Sequence, residues 1–205
     1  MSIYEERPTK NVTPEPEITS VDLYESLHNQ LATLVDYKDS VIFLNDEITD
    51  NTLTDLIIRV RSLLQNRKAD SGHPPINLMI NSPGGDVHEM FGIIDYMESL
   101  DVKVNTICRG RAFSAAAIIL LCGTGTRMIS KRSTVMFHQT SSFLVGKMSD
   151  ITAYLDNVKT LELSVYELLA EKTKQDATWW KDKMRTDLYL SAEELVHLGV
   201  VDQII

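Results

Sequence analysis

The sequence is short of several things, and each shortage narrows what the chain can be. Only two of its 205 residues are cysteines, Cys108 and Cys122. Both sit in apolar company at a spacing that fits no zinc-ligand pattern, so they read as buried core thiols. So low a count points to a reducing compartment and a cytoplasmic protein. Basic residues are outnumbered, 20 against 29 acidic, giving a formal charge of −9. That balance argues against non-specific nucleic-acid binding, which needs a basic surface. No apolar run is long enough for a bilayer: the stretch from Ala112 to Cys122 falls well below the roughly 20 residues a spanning helix requires. The first twenty residues lack the apolar core of a signal peptide, and they are too acidic for a transit peptide. Proline also stops early, with all six before residue 84 and half of them in a polar N-terminal arm over 1–20. Nucleotide signatures are missing too. No G-x-x-x-x-G-K-[ST] phosphate loop and no dinucleotide fingerprint occurs, so neither ATP nor another cofactor is expected on this chain.

What is present fits one soluble domain over 21–205, with 43% hydrophobic and 24% charged residues. "SVIFLND" (40–46), "INLMIN" (76–81) and "KVNTIC" (103–108) read as short buried strands. Between them Leu53, Leu56, Ile57, Val60, Leu63 and Leu64 recur at helical spacing, as do Val87, Met90, Phe91, Ile94 and Met97. "RMIS" and "TVMF" are further strand candidates around a Lys131-Arg132 turn. The longest periodic segment, 149–175, repeats apolar residues about every 3.5 positions and outreaches a small domain, so part of it is expected to project onto another subunit. Ser191 and Glu194 make a capping box, and Gly199 a helix stop. Strand–helix alternation throughout predicts an α/β fold.

Chemistry concentrates around "CRGRAFSAAAIILLCGTGT". A serine in an apolar helix often bonds back to the preceding turn, so Ser114 alone could be structural. The alternative is a strand, a turn through Gly110, and then a serine at a helix start beside free N–H groups that can hold an oxyanion. Such a hydroxyl needs a base. His28, His73, His88 and His197 read as surface residues. His138, which ends the apolar strand "TVMF", divides evenly between a structural histidine and a base. An acid must fix the tautomer of such a base. Asp150 and Asp156 read as solvated helix residues, Asp187 precedes a short apolar strand, and Asp202 is a weaker candidate. "NSPGGD" (81–86) is either a plain turn or a Gly84-Gly85 pair that lets another backbone approach.

Together, "INSPGGDV", "GRAFSAAAIIL", "VMFHQ" and "TDLYLSAEELVHLGVVD" stand in an order that resembles the ClpP family, the proteolytic subunits of the Clp protease. The resemblance implies a ClpP/crotonase-like fold of repeated ββα units with a protruding handle helix at about 149–175. It implies Ser114 as nucleophile, His138 as base and Asp187 as its orienting acid, with Gly85 and Ala115 N–H groups as oxyanion donors. It also implies seven-membered rings stacked as a tetradecamer, an arm that lines or gates the axial pore, and a separate AAA+ unfoldase that spends the ATP and delivers unfolded polypeptides.

Three departures stand out against that pattern. "HQTSSFLVGK" replaces the usual "HQP" and glycines, Leu188 stands where an arginine is common, and the basic N-terminal motif is missing. The rivals are a catalytically silent ring subunit and, fitting less well, a crotonase-type acyl-CoA enzyme.

Overall fold

The computed structural model describes residues 39–65, 74–141 and 147–205. The arm expected at 1–20, His28, His73 and the stretch 142–146 lie outside the described residues. Within them, strands β1 (Val41–Leu44), β2 (Ile76–Ser82), β3 (Val104–Phe113), β4 (Arg127–Ile129) and β7 (Gln203–Ile204) form a parallel sheet in that spatial order. Helices α1 (Thr52–Gln65), α2 (Val87–Glu98) and α3 (Ala115–Leu121) follow β1, β2 and β3 in turn. The alternation expected from the sequence therefore gives a mixed α/β fold. Leu56, Val60 and Leu63 of α1, with Met90, Ile93, Ile94 and Met97 of α2, join one core with Ile42, Leu78, Ile80 and Val104 of the strands.

The third strand departs from its expected end. It does not turn at Gly110 but runs on to Phe113, changing partners as it goes. Its first half pairs with β4, and Arg111 to Phe113 pair with β5 (Thr134–Phe137). The switch occurs at a bulge, where the register against β2 jumps from Ile80↔Cys108 to Ser82↔Ala112. Gly110 has φ +100° there, and a Cβ on it would stand 2.5 Å from Asn81 Oδ1. Side chains satisfy the displaced backbone: Arg111 N donates to Asn81 Oδ1 at 3.2 Å, and Gly110 N donates to Ser133 Oγ at 2.9 Å. The added reach carries β3 past the end of its pairing with β4 and onto β5 within the same sheet, and lets it deliver the residue at its tip.

Beyond β5, helix α4 (Met148–Lys172) occupies nearly the span read from its periodicity. At 1.5 Å per residue it is roughly 37 Å long. Its buried residues, Val165, Tyr166 and Leu169, all fall in its second half, while Met148, Tyr154 and Leu155 are exposed. A short helix that sequence reading missed, α5 (Ala177–Lys183), follows. Asp176 caps it by accepting from Trp179 N, and Trp180 is wholly buried against the Phe137 ring, 5.1 Å between centroids. Asp176 is itself a helix-start signal, but the segment is too short to show a period. Strand β6 (Leu188–Leu190) then pairs antiparallel with β5, and α6 (Ala192–Leu198) carries both halves of the capping box and a left-handed Gly199.

Asp202 ties the last strand to β4. It accepts from Arg127 N at 2.7 Å and from the Arg127 guanidinium, which also donates to Gly199 O at 2.9 Å. Burial works to raise the Asp202 pKa, but the hydrogen bonds and charge of Arg127 outweigh it and hold the carboxyl below its ordinary value. A depressed folded-state pKa gives stability that is present above the unfolded value and is lost as pH falls through the folded one. The pair is partly exposed, so its worth is about 1 kcal/mol. Asp202→Asn should therefore lower stability by about that amount at pH 7. The gap from the parent should narrow as the pH falls below the ordinary carboxylate range and the depressed carboxyl takes up its proton, as read by urea unfolding at a series of pH values.

Candidate active site

Ser114 is the single residue between β3 and α3. Its backbone, φ 55° and ψ −123°, is a conformation that L-residues avoid, costing on the order of 1–3 kcal/mol. The seven residues that follow are all buried. Four of them are Ile118, Ile119, Leu120 and Leu121, and each fully buried aliphatic contributes about 1.5–3 kcal/mol, so helix burial comfortably outweighs the strain. Thr106 Oγ1 donates to Leu120 O at 2.6 Å, pinning the far end of the helix. Ser114 N donates to Met136 O at 2.8 Å, pinning the near end to β5. Ser114 occupies the N-cap position yet its side chain caps nothing. The structural reading of this serine requires a back-bond to the preceding turn, and the hydroxyl makes none. Ser114 lines a cleft of about 770 Å³.

The "SPGG" turn forms the facing wall. Ser82, fully buried, donates through Oγ to Asp46 O at 2.6 Å and accepts from Gly84 N at 3.1 Å. Gly84 (φ +93°) approaches so closely that a Cβ would lie 2.9 Å from Ser114 Cβ and 3.2 Å from Ala115 N. Gly85 packs as closely on Ile48, where a Cβ would stand 2.1 Å from the carbonyl oxygen. In that bridge Ile48 N donates to Gly84 O and Asp86 N donates to Ile48 O. The bridge leaves the Gly85 N–H unused. Ala115 N, at the first position of α3, has no acceptor within the helix either. Neither N–H is bonded to any described residue.

His138 follows β5 directly and lines the same cleft as Ser114. Because β3 and β5 run parallel, with Phe113 beside Met136, their C-terminal ends deliver Ser114 and His138 side by side. Gln139 N donates to Met184 O at 3.1 Å and secures the chain beyond the histidine. Asp187 does not line the cleft and is exposed. The β5–β6 register, Phe137 opposite Leu188, places it across from His138 when continued by one residue. No hydrogen bond joins the three side chains.

The other candidates are accounted for differently. Asp156 pairs with Lys159 on the exposed face of α4, and Asp202 belongs to the Arg127 clamp. His88 is exposed as expected but borders the cleft. Cys108 and Cys122 are buried, and burial raises their thiols to about 11 and about 12, well away from thiolate chemistry at neutral pH. Sequence reading missed Ser82, whose signal was only its place before Pro-Gly-Gly, and Met184, whose role is a backbone carbonyl.

A strained, uncapped serine at a strand–helix junction, with a histidine beside it and a glycine pair against it, invites comparison with known proteins. A model of the Clp protease family matches residues 25–205. The chain belongs to the Clp protease family. Among curated members, the ATP-dependent Clp protease proteolytic subunit 1 of Shouchella clausii is 34% identical over 169 residues, 82% of this chain and 86% of that protein. The subunit of the same name from Prochlorococcus marinus (strain MIT 9312) is 31% identical over 169 residues, covering 82% of this chain and 85% of its own length. As a Clp-family peptidase, the protein carries its cleft at the tips of β3 and β5, between the glycine turn and α4.

The glycine wall gives a direct test. Gly84→Ala should lower stability by roughly 2 kcal/mol, because the methyl meets backbone atoms that cannot yield. Residual folded protein should show little peptide cleavage. Thermal unfolding and a peptide-hydrolysis assay check both.

Proposed function

We propose that the protein is a serine endopeptidase in which Ser114, His138 and Asp187 act as a catalytic triad. The observation that carries this reading is the uncapped Ser114 hydroxyl beside two unused backbone donors, Gly85 N–H and Ala115 N–H. In the proposed reaction His138 takes the Ser114 proton as Oγ attacks the carbonyl carbon of a peptide. The tetrahedral oxyanion accepts hydrogen bonds from Gly85 and Ala115, donors fixed beforehand by the glycine packing and by α3. His138 then protonates the departing amine, leaving an acyl-enzyme that a water molecule, activated by the same imidazole, hydrolyses. Asp187, opposite His138 in the strand register, orients the imidazole and stabilises its cationic form. The three side chains tighten into hydrogen bonds when substrate fills the cleft, as is common where a free site is loosely arranged.

The cleft suits an extended, unfolded polypeptide. Met90, Ile118, Phe137 and Leu161 give it an apolar floor beside Ser114, which takes an apolar side chain by burial alone. Work against folded proteins would need an outside source of energy, which we assign to a separate ATP-driven unfoldase. Self-assembly into paired seven-membered rings is proposed on α4 from Met148 to Leu163. Met148, Tyr154, Leu155 and Leu163 are 43–77% exposed there, a run of exposed apolar side chains that suits burial against another subunit.

Two results test this reading. Ser114→Ala and His138→Ala should each lower kcat for an unstructured peptide by at least about 10³-fold with the fold intact. Undiminished cleavage by Ser114→Ala would remove the nucleophile. Native mass spectrometry should give a species of seven or fourteen subunits, and a stable monomer at micromolar concentration would sink the assembly.

A further inference from the structure

The wall of the cleft includes two carboxylates, Glu47 and Asp86, and two histidines, His88 and His138, but among the described residues no lysine or arginine lines it. Supply is not the reason, since the chain has 20 basic residues. The two carboxylates stand differently. Asp86 accepts from His88 N at 2.7 Å and from Glu89 N at 3.0 Å, so its charge is committed to the start of α2. Glu47 is exposed, and its carboxylate makes no hydrogen bond or ion pair among the described residues. Only its carbonyl is engaged, accepting from Thr52 Oγ1 at 3.3 Å. The backbone beside it is nevertheless fixed, because Ile48 is buried and its N–H and carbonyl bond to Gly84 O and Asp86 N. The glycine turn alone separates that backbone from the nucleophile: a Cβ on Gly85 would collide with Ile48, and one on Gly84 would lie 2.9 Å from Ser114 Cβ. An uncommitted negative charge therefore stands within a few residues of Ser114, measured along an extended chain.

We infer that Glu47 sets a charge preference on the substrate: the cleft favours polypeptide stretches with a lysine or arginine a few residues from the cleaved bond, and disfavours those with glutamate or aspartate there. The inference rests on this cleft being the peptide-binding site. Concave walls of low dielectric focus the field of a charge that lines them, and Met90, Ile118, Phe137 and Leu161 supply such walls. A carboxylate in that setting acts further and with less screening than one on open surface. The apolar floor takes one side chain of the substrate by burial and is indifferent to its neighbours. Glu47 adds discrimination beside it, attracting a cation and repelling an anion, so that selection comes from both terms.

The test uses the full chain and quenched fluorescent peptides with one cleavable bond, each carrying a single lysine or a single glutamate stepped through the neighbouring positions on both sides. At one or more positions the parent should cleave the lysine peptide with a kcat/KM roughly 3- to 10-fold above its glutamate twin at low salt, the value of one partly screened charge pair. That ratio should fall towards one in 1 M salt. Glu47→Gln should bring it near one at low salt as well, and Glu47→Lys should invert it. Glu193→Gln removes the same charge from an exposed residue outside the cleft, and it should keep the parent's ratio, which separates Glu47 from the net charge of the chain. Equal cleavage of every pair by the parent would overturn the inference, as would a parental ratio retained in Glu47→Gln or lost in Glu193→Gln. Ser114→Ala distinguishes this from the underlying reading. If that variant cleaves, the reacting site is misassigned, whereas an inactive Ser114→Ala beside an unselective parent condemns the charge preference alone.

Discussion

A single methyl group on Gly84 would stand 2.5 Å from the Phe113 carbonyl oxygen, and much of the molecule is arranged around that close approach. The turn can lie so near the tip of β3 only because two successive glycines carry no side chains. Both adopt positive φ, +93° and +153°, which a side chain would make costly. Ser82 and Ile48 hold the turn from behind through its backbone, so the N–H of Gly85 is spared. The same closeness dictates the conformation of Ser114, which must turn the chain from strand to helix within one residue. The strain is tolerable because α3 is buried along its entire length.

This division of labour explains why sheet and site are built from the same strands. The bulge at Gly110 is a defect in the ladder between β2 and β3, yet it allows one strand to serve two neighbours. The first half of β3 pairs with β4, and the second half pairs with β5 and leads to the candidate site. Asn81 and Ser133 satisfy the bulge with side-chain oxygens, so the change of partner leaves the displaced N–H groups of Gly110 and Arg111 paired. Parallel pairing with β5 then brings the residues after Phe113 and after Phe137 to the same edge, and the antiparallel register of β6 sets Asp187, the proposed orienting acid, opposite His138.

Much of this was legible in the sequence because its signals are local. The helical period of α1, α2 and α4, the capping box at Ser191 and the alternation that makes an α/β fold all depend on near neighbours. The two strands around Lys131-Arg132 were equally clear. The passage from Cys108 to Ser114 was not, because Arg-Gly-Arg looks like a turn and becomes a strand only through Asn81 and Ser133, remote in sequence. Helix α5 escaped because seven residues are too few to show a period, although Asp176 marks its start. Ser114, His138, Asp187, Gly85 and Ala115 could be named from their motifs. Their mutual placement needed the register of β5 between β3 and β6, which no linear pattern encodes.

The central claim is that Ser114 Oγ and the N–H groups of Gly85 and Ala115 converge on one reacting carbonyl. The most direct measurement is a crystal structure of the protein after reaction with a fluorophosphonate, whose phosphoryl oxygen mimics the oxyanion. The account predicts a covalent bond from Ser114 Oγ to phosphorus, with the phosphoryl oxygen within hydrogen-bond distance of both N–H groups. An adduct on any other residue, or a phosphoryl oxygen turned away from Gly85 and Ala115, would contradict it.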